Sequence, residues 1–241
     1  MTDRVYRGCS LRAIGVGLAL VAFMSIAIPW GDMIIKGSQM GVWNTNPGAI
    51  FLFFVLVAIL NSLVGLLRRS WALDSGELAV VYIMLLVANT LPARGFAAYV
   101  PAVATGAFYY ATPENNWKEQ VWPYLPDWAT VHDESAVRQY YEGAELGMGV
   151  PWDAWVIPMA CWMLFGLSMY LVMISLSVIL RRQWVERERL VYPMMQLPQH
   201  MLREDEEGRK PFFRSWAMWL GFLLPCIIVN ANALHSYYEF F

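Results

Sequence analysis

The chain alternates long uncharged apolar runs with short charged ones, and that pattern restricts its fold more than anything else. A helix needs roughly 20 apolar residues to cross the hydrocarbon core of a membrane. Residues 13–30 form a first run behind Arg4, Arg7 and Arg12, and residues 48–67 a second, closed by Arg68 and Arg69. Residues 78–93 and 95–113 flank Arg94, the latter run broken by Pro101 and Gly106. Residues 154–180 are long enough to span with tilt and end on Arg181 and Arg182; residues 215–238, interrupted by Pro225, come last. In lipid only a helix or a closed barrel satisfies its own backbone, and these runs are too long and continuous for barrel strands. The expected fold is all-α: a polytopic transmembrane helix bundle with about five net crossings, one interrupted span and a small outer cap.

Composition agrees. Only 15% of the 241 residues are charged, against about 25% in soluble domains. A net charge of −2 with no basic-aromatic interleaving argues against nucleic acid as a partner. The basic flank and Ser25-x-Ala27 imitate a signal peptide, but the long run and its interfacial Pro29-Trp30 end assign it to an uncleaved first span. Cys9, Cys161 and Cys226 are odd in number and lack C-x-x-C spacing, which argues against a disulfide framework and a zinc site. H-E-x-x-H, G-x-S-x-G and P-loop motifs are absent. No enzyme activity, cofactor or metal centre is expected.

The basic residues set the orientation. With a cytoplasmic N-terminus and one net crossing over residues 78–113, cytoplasmic segments hold 13 of the 17 Lys and Arg. The outer side then keeps only Lys36, Lys118 and Arg138, and Arg94 lies within the membrane. A two-span hairpin over residues 78–113 would move the basic segment 181–214 outside, against the positive-inside tendency. The chain therefore divides into N-terminal transmembrane helices (1–113), an extracytoplasmic acidic and Trp-rich cap (114–153), and transmembrane helices joined by a basic cytoplasmic loop (154–241).

The cap segment carries eight acidic and two basic residues, with Trp117, Trp122, Trp128 and Trp152. Residues 133–145 suit a short amphipathic helix. Its carboxylates either collect cations at a vestibule or simply keep a Trp-anchored loop solvated.

Polar residues inside apolar runs are the candidate substrate-binding groups: Arg94, Asn89, Asn61 and Asn230, with Thr90, Asn232 and His235 beside them. Such groups are costly in lipid unless they face a bundle interior or a wet cavity. Arg94 lies between Pro92 and Gly95, where a helix would break, and broken helices line binding sites in transporters. There it either holds a substrate carboxylate bidentately or snorkels to headgroups. Asn61 and Asn89 equally suit hydrogen bonds that join helices.

The stretch 181–198, with Glu188, Arg189, Leu190, Tyr192 and Pro193, resembles a Glu-Arg-Leu-x-Tyr-Pro-like motif that follows a transmembrane helix in oligopeptide transporters. Trp71-Ala72-Leu73, residues 111–115 and Tyr140-Tyr141-Glu142-Gly143 are also similar to a family of large, uncharacterised bacterial membrane proteins related to those transporters. The resemblance covers the N-terminal part of such proteins, which are much longer. It implies part of a secondary transporter for a small organic or peptide-like solute, in a bacterial inner membrane. Its partners would be the lipid bilayer and further transmembrane segments or subunits. A non-transporting scaffold or subunit of a membrane complex is the alternative. Alternating charges at Glu186–Arg189 suit a cytoplasmic helix extension, with Pro193 and Pro198 ending it.

Overall fold

A computed structural model describes residues 9–35, 47–92, 96–144, 147–190, 192–203 and 211–237. Among these residues the regular structure is helical throughout, with no strand. In chain order the helices are α1 (Leu11–Pro29), α2 (Pro47–Val55), α3 (Asn61–Leu67), α4 (Ser75–Ala88), α5 (Phe96–Tyr109), α6 (Trp117–Gln120), α7 (Glu134–Glu142), α8 (Trp152–Arg181), α9 (Pro193–Leu202) and α10 (Trp216–Tyr237). Turns of π-helix prolong α1 and α8 and weld α2 to α3. Three of the resulting rods are long and apolar enough to cross a membrane: Leu11–Asp32, Pro47–Leu67 and Trp152–Arg187. The remaining apolar runs appear as the shorter helices Ser75–Ala88 and Phe96–Tyr109 and as the stretch Trp216–Asn232 within α10.

Two compact units make up the chain, Met1–Phe96 with Tyr192–Phe241, and Ala97–Val191. The first is built on α1, the α2–α3 rod and α4. Its core holds Met24, Phe53, Leu78, Val81, Tyr82 and Leu85, none more than 1% exposed. Phe53 meets Tyr82 at 4.8 Å between ring centroids, and Phe54 stacks on Phe222 of α10 at 4.6 Å. Gly17 lets α1 approach α4: a Cβ there would lie 2.5 Å from the Met84 sulfur. Ser10 bonds Glu77 and Gly17 touches Met84, so equal steps along each helix keep contact. Helices α1 and α4 are therefore parallel, and the α2–α3 rod, joined to α4 by a short loop, runs the other way. Outward faces stay apolar, with Leu18, Phe23 and Ile26 all more than half exposed. A surface of that kind suits lipid better than water.

In the second unit α5 and the start of α8 carry residues 114–153. Ala104, Val131, Ala136, Val137 and Trp155 form its core. The sequence predicts a break at Pro101 and Gly106, yet α5 runs through both. Pro101 costs the helix one hydrogen bond, and Thr105 donates its hydroxyl to the Pro101 carbonyl at 2.7 Å. Gly106 leaves room for the Tyr141 hydroxyl, 3.7 Å from where a Cβ would stand.

The first turns of α8 pack into the core of the second unit. Trp155 and Pro158 are buried, and the Trp162 indole donates to the Ala129 carbonyl at 2.9 Å. Residues 163–180, by contrast, are exposed or only half-buried. Eighteen residues rise about 27 Å, close to the roughly 30 Å hydrocarbon core. At its far end α8 stops where Arg189 takes a left-handed conformation, φ 50°. The Glu188 and Leu190 amides fold back onto the carbonyls of Gln183 and Trp184. The expected role of the prolines in stopping this helix fails: Pro193 opens α9 and Pro198 lies buried inside it. A proline in the first helical turn loses no bond, because that amide has no partner in the helix.

Candidate functional site at the end of α4

Helix α4 starts from a well-fixed end. Asp74 caps it, accepting from the Glu77 amide at 2.8 Å while the Glu77 side chain accepts from the Asp74 amide at 3.0 Å. Glu77 is only 1% exposed. Its remaining acceptor sites take the Ser10 hydroxyl and, at 2.8 Å, the Arg12 guanidinium. Arg12 also donates to the Ser70 carbonyl at 2.9 Å. On the same end, Ser75 donates to the Leu202 carbonyl of α9 at 3.3 Å. Ser10, Arg12, the loop 68–74 and the end of α9 therefore share one end of the first unit. Asp74-x-x-Glu77 is a capping-box signature that sequence alone offers; its ion pair with Arg12, 65 residues away, is not visible there.

At its other end α4 stops at Ala88, inside the apolar run, with Asn89 as its C-cap. Asn89 is 2% exposed. The next turn is closed by the Leu91 amide on the Ala88 carbonyl and by the Thr90 hydroxyl on the Val87 carbonyl. Arg94 lies outside the described residues. The carbonyl end of a helix bears a partial negative charge, a natural partner for a guanidinium or a cationic solute group.

The other candidates lie elsewhere. Asn61 grips the α3–α4 loop, donating to the Leu73 carbonyl at 3.1 Å and accepting from the Leu73 amide at 2.7 Å. It thereby stands at the capped end of α4, and the 14 residues of that helix put Asn89 about 20 Å away. Asn230 is exposed on α10 and donates to the Cys226 carbonyl one turn back, at 2.7 Å. Motif residues Glu188, Leu190 and Tyr192 are exposed. The Glu188 carboxylate accepts from Gln183 at 2.8 Å, within the helix terminus.

The second unit holds a network that the sequence does not announce. His132 Nε2 lies 3.0 Å from the Thr130 hydroxyl and 3.2 Å from an Asp127 carboxylate oxygen. Thr130 also donates its hydroxyl to the Pro126 carbonyl at 3.0 Å. Tyr109 and Tyr141 stack at 4.1 Å, with Tyr110 and Tyr140 edge-on to Tyr141. Burial pushes the Tyr140 hydroxyl above its ordinary range, with neighbouring Tyr141 adding to the shift. At the start of α7, the Ser135 hydroxyl and the Ala136 amide hold the Asp133 carboxyl below the usual carboxylate value. Among the described residues no group of three or more His, Cys, Asp or Glu is placed to hold a metal ion.

Long apolar helices, apolar outer faces and a helix that ends inside an apolar run define the class: an all-helical protein of membrane type. The chain belongs to the DUF6785 family, a family of unknown function, whose model matches residues 3–241. No curated protein and no solved structure matches it significantly.

Proposed function

We propose that this chain is part of a secondary membrane transporter for a small organic or peptide-like solute, as its resemblance to oligopeptide-transporter-like proteins implies. One observation carries the proposal. Helix α4 rises only about 21 Å from its capped end, less than the roughly 30 Å hydrocarbon core. Its carbonyl end and Asn89 then lie at membrane depth. Non-helical backbone is tolerated there only when buried in protein or lining a watery cavity, and interrupted helices of this kind build transporter sites.

The full proposal has five net crossings, a cytoplasmic N-terminus in a bacterial inner membrane, and Arg94 and Asn89 at the solute site. It is supported by the geometry of the first unit, where Arg12, Arg68, Arg69 and Arg203 gather at one end, as a positive-inside arrangement requires. Asn61 and Asn230, bound to backbone, favour the rival scaffold for their own positions. Asn89 decides between the two. In Asn89→Cys on a background lacking the native cysteines, a small cationic thiol reagent should modify the introduced thiol in native membranes. Val81→Cys, wholly buried in the core, should stay unmodified. Protection of both positions from both sides of the membrane would favour the scaffold.

A further inference from the structure

We propose that the loop at residues 68–71 is a binding site for the phosphate headgroup of an anionic phospholipid. This rests on the membrane reading of the chain and not on transport. The loop is framed at both ends. The Arg68 amide bonds the Val64 carbonyl at 2.8 Å and the Trp71 amide bonds the Arg68 carbonyl at 2.9 Å. Arg12, itself held by buried Glu77, clamps the Ser70 carbonyl, and Asn61 clamps Leu73 through both its amide and its carbonyl. An arginine that merely snorkels needs no such frame.

The frame presents two guanidinium groups. Neither Arg68 nor Arg69 has an acidic partner among the described residues. Two carboxylates among the described residues of this end are engaged: Glu77 holds Arg12, and Asp74 caps α4. Arg68 lies over the Trp71 ring, 5.4 Å from its centroid, within cation–π range. Directly before the arginines, Leu66 is 84% and Leu67 87% exposed, and Trp71 is 64% exposed. Two guanidiniums without carboxylate partners among the described residues, beside a protruding apolar pair, match the headgroup and upper acyl chain of one lipid. Arginine forks fit phosphate oxygens geometrically as well as by charge.

The test uses the full chain, with a bimane fluorophore on Ser70→Cys in a background lacking the native cysteines, reconstituted into phosphatidylcholine vesicles. Brominated phosphatidylglycerol should quench the probe more effectively than brominated phosphatidylcholine. At about 1 kcal/mol per arginine the preference is roughly fivefold for each, and it should shrink in high salt. R68Q/R69Q should abolish the preference, whereas R68K/R69K should retain most of it. Equal quenching by the two lipids overturns the proposal, as does a preference that survives R68Q/R69Q. Relief of quenching by soluble glycerol phosphate would show a site for free phosphate and would also overturn it. Flotation of the protein with pure phosphatidylcholine vesicles checks the membrane reading separately, because that step involves no anionic lipid.

Discussion

The Arg12–Glu77 pair ties the start of α1 to the start of α4, and breaking it tests how the first unit is held together. Between helices in lipid the hydrophobic effect contributes little, so packing and hydrogen bonds carry the association. The Glu77 side chain is 2% exposed and the Arg12 side chain 50% exposed. That asymmetry predicts unequal damage from the two partners. Arg12→Ala leaves a buried carboxylate with only the Ser10 hydroxyl and the Asp74 amide. Losing one partner of a fully buried pair costs about 3–5 kcal/mol, and these surviving bonds reduce the expected loss to about 3 kcal/mol. Glu77→Gln leaves a guanidinium that is half in solvent and can rehydrate, so about 2 kcal/mol is expected. In the double variant R12A/E77Q no buried charge remains. Its loss should fall about 1.5 kcal/mol or more short of the sum of the singles, a coupling within the range for contacting groups. Reversible unfolding of the purified protein in mixed micelles, titrated with sodium dodecyl sulfate, measures all three. Additive losses, or an Arg12→Ala loss below about 0.5 kcal/mol, would refute the claim that this pair joins α1 to α4.

Other outcomes follow from single positions. Gly17→Leu should overpack the α1–α4 contact and cost about 1–3 kcal/mol, with partial recovery on adding Met84→Ala, measured in the same unfolding assay. Arg189→Gly should stabilise the end of α8 by about 0.5–1 kcal/mol, because glycine adopts φ 50° without strain; a loss of stability there would mean that the Arg189 side chain contributes more than its backbone costs. Asp133→Ala should remove the α7 cap at a cost of about 1 kcal/mol, seen as faster amide exchange at Ala136. Because the Asp133 carboxyl is held below its ordinary value of 3.8, its stabilisation is present above that value and is lost as pH falls through the lowered one. Acceleration of Ala136 exchange beginning near neutral pH would contradict this.

Much of the architecture was legible from uncharged run lengths alone, since helices are the simplest way for a chain of this composition to satisfy its backbone groups in lipid. Pro92 and Gly95 mark a helix break in the sequence, and α4 ends at Ala88, four residues ahead of Pro92. Local proline rules misled in two places. Pro101 sits within a continuous α5, where one missing bond is tolerated by a helix packed against Val131 and Tyr141. Pro193 and Pro198 lie within α9, and Arg189 takes the left-handed position usually left to glycine. Asn61 illustrates a deeper limit. Its place in an apolar run marked it as functional or adhesive, but only coordinates show both ends of its amide on the Leu73 backbone. Glu77 is legible as part of a capping box, but not as a buried ion-pair partner, because Ser10 and Arg12 lie 67 and 65 residues away.

The proposed topology puts the acidic segment 114–153 on one side of the membrane and the basic segment 181–214 on the other. Single cysteines at Ser135, beside the α7 cap, and at Gly208, in the sequence before α10, report it directly on a background lacking the native cysteines. An impermeant maleimide applied to intact cells should modify Ser135→Cys alone, and Gly208→Cys should react only after the membrane is opened. Labelling of Gly208→Cys in intact cells, with Ser135→Cys protected, would invert the topology. Labelling of both would remove the odd number of crossings between them.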